Sequence, residues 1–154
     1  MELSDLLSEE SVLSCTSIGS KAELLEKLSQ TAAELTGQDA ATILTALTAR
    51  EELGSTGNGN GIAIPHGKLP GLPAVTGLFV RLDEPIEFDA LDDQKVDLVI
   101  MLLAPVGAGA DHLKALALVA RLLRTEALVD QLRRTRDPRR LRQLLLAPPT
   151  AHAA

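Results

Sequence analysis

The chain has 154 residues, 45% of them hydrophobic, which suffices for one domain with one core and is too little for two. Two phenylalanines and no tryptophan or tyrosine make that core aliphatic, and remove the aromatic platforms on which single-stranded nucleic acids stack. The formal net charge of −6 is unevenly spread: residues 121–154 hold eight arginines and three acidic residues, a balance of +5, against −11 for the first 120.

No charged-then-apolar leader precedes the first acidic residues, and the single cysteine, Cys15, has no partner for an internal disulfide, so a cytoplasmic chain is expected. "SKAELLEKLSQTAAELTG" predicts an amphipathic helix. It opens on a capping box of Ser20 and Glu23, closes at Gly37, and spaces Leu24, Leu25, Leu28, Ala32 and Leu35 near 3.6 residues. Asp39 caps a second helix with Ile43, Leu44 and Leu47 as its apolar stripe, Arg50 near its C-terminal end and Gly54 as its stop. A glycine-rich stretch follows, five glycines between Gly54 and Gly67.

"GIAI" reads as a short strand that Pro65, lacking an N–H, brings to a stop. "VTGLFVRL" (Val75 to Leu82) is a loosely alternating strand, and "EPIEFDALDDQ" an irregular or edge segment with a tight acidic turn. "VDLVIMLLA" is nearly continuous, as a central strand covered on both faces would be. The apolar run from Leu98 is broken by Pro105 and glycines well short of the roughly 18 residues a membrane span needs, so no membrane insertion is expected. Three helices follow, from Asp111, from Thr125 as N-cap, and from Asp137 as N-cap with Pro138 first. Their arginines alternate with leucines that must bury, so the basic end reads as a solvated helical face and not as a nucleic-acid site. The acidic remainder suits a basic protein partner. The whole predicts one α/β domain over residues 1–147, a single mixed β-sheet flanked by helices, with 148–154 as a flexible tail.

The glycine stretch invites a phosphate-loop reading, but the known patterns fail. Gly61 and Gly67 are one residue too far apart for a P-loop, and Lys68 is followed by Leu69 where Ser or Thr is needed. A dinucleotide loop follows a strand and opens a helix, whereas this one follows a helix and opens a strand. His66, His112 and His152 are scattered and no thiolate pair exists, so neither a metal site nor a cofactor is expected.

What remains is His66 as the reacting group. Imidazole, with an ordinary pKa of about 6.5, is largely neutral at cytoplasmic pH. One nitrogen then offers a lone pair to a phosphoryl group while the other is fixed by a hydrogen bond. Such a transfer asks for donors around three oxygens. The candidates are the Arg50 guanidinium, the hydroxyls of Ser55 and Thr56, and backbone N–H groups from Gly57 through Asn60 to Gly61. His112, at a helix start, is a second imidazole that could orient the first or hold an oxygen. Each also has a purely structural reading: turn formers for Ser55 and Thr56, a helix-end cation for Arg50, a capping-turn ring for His112, a surface loop histidine for His66 and a solvated side chain for Lys68.

"REELGSTGNGNGIAIPHGKL" closely resembles the active-site segment of enzyme IIA proteins of the phosphoenolpyruvate-dependent phosphotransferase system, fructose and mannitol class, nearest the nitrogen-regulatory branch. The likeness continues through "EPIEFDALDDQKVDLVIMLLAP" and "HLKALALVARLLR", from about Lys21 to Leu146. Asn58 and Lys95 depart from residues common in the family. The resemblance implies a phosphotransferase in which His66 accepts a phosphoryl group at Nε2 from an HPr-like phosphocarrier, with Arg50 and His112 helping to form the site. It implies regulatory target proteins as partners. The alternatives are an enzyme IIB taking the phosphoryl group onward during sugar uptake, or a non-catalytic binding module in which His66 is never modified.

Overall fold

The computed structural model describes residues 1–15 and 17–147; the expected tail at 148–154 lies outside the described residues. The chain runs α1 (Leu3–Leu6), a 3-10 turn (Glu9–Ser11), β1 (Val12–Cys15), α2 (Lys21–Thr36), α3 (Ala40–Glu52), β2 (Gly57–Gly59), β3 (Ile62–Ala63) and β4 (His66–Leu69). It continues with β5 (Thr76–Ile86), β6 (Val96–Pro105), α4 (Gly109–Leu122), α5 (Glu126–Arg133) and α6 (Pro138–Leu146).

The caps show why the helices begin where they do. Ser20 accepts from the Glu23 N–H at 3.1 Å, but the reciprocal arm of the box goes one residue early: Glu23 takes the Gly19 N–H at 3.0 Å. Gly37 closes α2 in the left-handed region, φ 74°. Asp39 accepts from the Thr42 N–H and Asp137 from the Arg139 N–H, whereas Thr125 precedes α5 with no side-chain cap bond. The fourth helix starts at Gly109, two residues ahead of the expected Asp111.

Among the described residues the six strands form one mixed sheet in the order β1-β5-β6-β3-β2, with β4 also on β6. The fifth and sixth strands are antiparallel; β1 runs parallel to β5, and both β3 and β4 parallel to β6. The expected central strand is therefore β6. Its alternate residues Leu98, Ile100, Leu102 and Ala104 face a core shared with α1, α4, α5 and α6, while Val99, Met101 and Leu103 face a second core under α2 and α3. Three layers result, helices over sheet over helices.

Several strand expectations are corrected. β5 reaches Ile86, taking in the start of the segment read as irregular, with a register break between Arg81 and Ile86. β1 was not expected at all. Gly57–Gly59 is a strand, joined to β3 by a turn in which Asn60 (φ 58°) and Gly61 (φ 79°) both occupy the left-handed region, the geometry an Asn-Gly pair favours. Pro65 does interrupt the ladder, yet its carbonyl still accepts the Leu102 N–H at 2.9 Å, and the chain rejoins β6 immediately as β4.

Candidate active site

That interruption positions the imidazole. His66 is the first residue of β4 and sits beside Leu102, so it points, with Lys68, toward the α4 layer. Gly67 points the other way, against α3, where a Cβ in its place would stand 3.3 Å from the Ala46 Cβ. Because that side chain is missing, α3 packs close to β4, and Arg50, one turn beyond Ala46, reaches around the strand to the histidine.

Hydrogen bonds fix the ring in one tautomer. The Nδ1–H donates to the Ile64 carbonyl at 2.9 Å, since a carbonyl can only accept. The Arg50 Nε–H donates to Nε2 at 3.2 Å, which leaves the lone pair on Nε2. A second arginine donor, Nη1, is held by the Gly54 carbonyl at 2.7 Å.

The His112 ring lies 5.3 Å from the His66 ring, centroid to centroid, tilted by 53°. It sits in the first turn of α4, buried, and its Nδ1 is a buried nitrogen with no hydrogen-bond partner among the described residues. Burial holds its pKa below the ordinary histidine value, and the electrostatic influence of His66 and Lys68 pushes it the same way. A neutral His112 therefore faces a half-buried His66.

The structure thus brings His66, Arg50 and His112 together, and gives the donors of Ser55, Thr56, Gly57 and Asn60 other partners. The Ser55 hydroxyl donates to the Phe88 carbonyl at 2.8 Å while accepting from the Gly57 N–H at 3.0 Å. Thr56 gives both its hydroxyl and its N–H to Glu51. The Asn60 N–H donates to Asp92 at 2.9 Å, and its carbonyl accepts from Arg133. Each of these donors is already engaged within the protein, on Phe88, Ser55, Glu51 or Asp92. Asn60 is also distant: Ile62 pairs with Leu98 and His66 with Leu102, an offset of four strand residues or roughly 13 Å, and Asn60 precedes Ile62 by two more residues.

Sequence reasoning missed Glu51 and Lys21. The Glu51 carboxylate, 5% exposed, pairs with the Lys21 ammonium at 2.9 Å, and that ammonium lies 4.5 Å from the centre of the Phe88 ring. The signal was present: Glu51 stands four residues after Leu47 and eight after Ile43, so it continues the buried stripe of α3.

A sheet-edge imidazole whose Nε2 keeps its lone pair, with an arginine and a second histidine beside it, makes a class of site whose chemistry suits an anionic group. The comparisons with known proteins give that class a family. The family model described as "Phosphoenolpyruvate-dependent sugar phosphotransferase system, EIIA 2" matches residues 5–147. A nitrogen regulatory protein of Bradyrhizobium diazoefficiens is 50% identical over 153 residues, covering 99% of this chain and all of the relative. The crystal structure of nitrogen regulatory protein IIA-Ntr from Neisseria meningitidis superposes with a TM-score of 0.86 at 34% identity, covering 93% of this chain and 98% of that one. IIA mannitol from Escherichia coli shares the fold at a TM-score of 0.74 and 22% identity, with 90% and 98% covered. The chain belongs to the EIIA 2 family of the phosphoenolpyruvate-dependent sugar phosphotransferase system, as the resemblance in Arg50–Leu69 implied. Among the described residues no helix is long and apolar enough to cross a membrane.

Proposed function

We propose that this protein is a phosphohistidine carrier that accepts a phosphoryl group on His66 Nε2 from an HPr-like protein and acts as a regulatory enzyme IIA. The observation that carries the reading is the tautomer: Nδ1–H on the Ile64 carbonyl leaves Nε2 as the nucleophile. In the transfer, the Nε2 lone pair forms the new N–P bond as the bond from phosphorus to the donor's histidine nitrogen breaks, and that nitrogen keeps the electron pair. The Nδ1–H stays on its carbonyl throughout. Arg50 must then hand over its hydrogen bond, moving its N–H groups from Nε2 to the phosphoryl oxygens. His112, neutral and with a free buried nitrogen, gains a partner when the phosphoryl group arrives.

Leu53 and Leu113, 85% and 67% exposed, are neighbours in sequence of Gly54 and His112. Apolar surface beside a reacting group is what a docking carrier protein buries. The regulatory role is favoured over onward transfer to an enzyme IIB because a relative named as a nitrogen regulatory protein is 50% identical over 99% of the chain, against 40% over 71% for a fructose-specific EIIA component.

The test is the intact mass of wild type and His66→Ala after incubation with phosphoenolpyruvate, enzyme I and an HPr-type carrier. One phosphoryl group gained by the wild type alone is the expected result. Labelling of both proteins would overturn His66 as acceptor, and labelling of neither by a demonstrably active donor would favour the binding module. Rapid loss of the label to a purified enzyme IIB would replace the regulatory role with the transport one.

A further inference from the structure

We propose that Glu51 is a positioning residue for this transfer: acting through Thr56 and the Gly54 carbonyl, it holds the Arg50 guanidinium on the His66 imidazole. The proposal rests on the reading of His66 as the phosphoryl acceptor.

Glu51 lies on the core-facing stripe of α3, where a carboxylate is costly unless paired and hydrogen-bonded. It has all the partners it needs: the Thr56 N–H at 3.1 Å, the Thr56 hydroxyl, and the Lys21 ammonium at 2.9 Å. Apolar replacement of a buried ion pair is often neutral or stabilising, so such a pair is weak evidence of a stabilising role by itself. What this pair does is fasten a loop. Thr56 is held by Glu51, and Ser55 by the Phe88 carbonyl, which the Lys21 ammonium also approaches at 3.4 Å. The next residue back, Gly54, presents its carbonyl to Arg50 Nη1 at 2.7 Å, and the same guanidinium reaches His66 Nε2 at 3.2 Å.

The path therefore runs Glu51, Thr56, Gly54, Arg50, His66, although Glu51 and Arg50 are adjacent in sequence and point to different sides of the helix end. With its side chain 5% exposed, Glu51 has no surface to offer a docking donor. Its loss should leave donor recognition intact and lower the rate of the step that needs the arginine in place. A merely structural role, clamping α2 to α3, would instead act regardless of whether Arg50 is present.

The experiment is single-turnover phosphorylation of the full chain by a phosphorylated HPr-type donor over a range of donor concentrations. It compares wild type, Glu51→Gln, Arg50→Ala and the double variant. Glu51→Gln is expected to lower the limiting rate about tenfold with the half-saturating donor concentration unchanged, and to add little in the Arg50→Ala background. Wild-type rate in Glu51→Gln, or the same slowing with and without Arg50, overturns the proposal. Thr56→Val and Thr56→Ser repeat the test without touching the buried charge. The valine variant should be slowed and silent in the Arg50→Ala background while the serine variant keeps the wild-type rate, and a valine variant at wild-type rate overturns the path. Absence of any His66-dependent phosphorylation in the wild type overturns instead the acceptor reading beneath it.

Discussion

Two arginine clusters sit at opposite ends of the line formed by β3 and β4, and they use their donors differently. At the hairpin end, Arg133 Nε reaches both Asp97 oxygens at 3.1 Å and another donor takes the Asn60 carbonyl. The Arg133 carbonyl in turn receives two donors of the buried Arg81, whose remaining nitrogen pairs with Asp83. Charge meets counter-charge there, and the strand ends are fastened. At the histidine end, Arg50 donates to one imidazole nitrogen and one carbonyl and has no ion pair among the described residues, while His112 keeps a buried nitrogen unpartnered. The arginines of the first cluster have their charge met by carboxylates; the second cluster retains capacity for an anion, at some expense in stability.

Exchanging one arginine at each end should separate the two roles. Arg50→Ala is expected to slow phosphoryl acceptance by about 100- to 1,000-fold, the usual effect of deleting a transition-state donor, with little change in the unfolding midpoint. Arg133→Ala should do the reverse, lowering stability by about 1–3 kcal/mol through the partners it leaves unpaired while transfer proceeds at the wild-type rate. Single-turnover kinetics and urea unfolding on both variants check this. If each variant lost both properties, the division between the clusters would fail.

The helices were legible because their signals are local: Ser20, Asp39 and Asp137 cap where side-chain chemistry says they should, and Gly37 stops α2. The trio at the site was legible for a different reason, since Arg50 and His66 lie in one distinctive segment and His112 opens the helix after the central strand. Non-local pairing was invisible. β1 is four residues long and gains its identity only beside β5, which begins more than sixty residues later. The resumption of pairing at His66 was hidden because proline removes a donor but leaves an acceptor. Asn60-Gly61 is a hairpin signal that the surrounding glycines masked. The arginine-rich end was read as solvated, which suits the exposed Arg139 but not Arg133, whose acid partner lies on β6.

A smaller effect separates the two ends by pH. His112 is held below the ordinary histidine pKa of about 6.5, first by burial and then by the electrostatic influence of His66 and Lys68. In the unfolded chain the ring takes its proton near that ordinary value, so between the two pKa values the unfolded state binds more protons and stability rises with pH. The contribution is complete above about pH 6.5 and drains away as pH falls toward the folded-state value. His112→Gln removes it, so urea midpoints taken from about pH 7.5 to about pH 5.5 should fall less steeply for the variant than for wild type. Parallel slopes would mean that the ring protonates in the fold as easily as in water, and that the site is more open to solvent than its burial implies.

The smallest expected effect is at Asn60, where it decides which end of the strand line this residue serves. Its N–H and carbonyl are both engaged by the hairpin-end network, with Asp92 and Arg133. Those are backbone bonds, which a substitution need not break. At φ 58° glycine is at ease, so Asn60→Gly keeps the turn, both bonds and the register that carries the chain on to His66. Phosphoryl acceptance should stay within about twofold of wild type, because a side chain at the hairpin turn, beyond the four strand residues or roughly 13 Å that separate Ile62 from His66, has no oxygen to hold. A valine at the same position should lower stability by about 1–2 kcal/mol through left-handed strain, again without slowing transfer. A large loss of transfer in the glycine variant, with stability preserved, would mean that the hairpin tip folds over the imidazole when the donor docks; the contrast between a charge-paired end and an open one would then describe only the free protein.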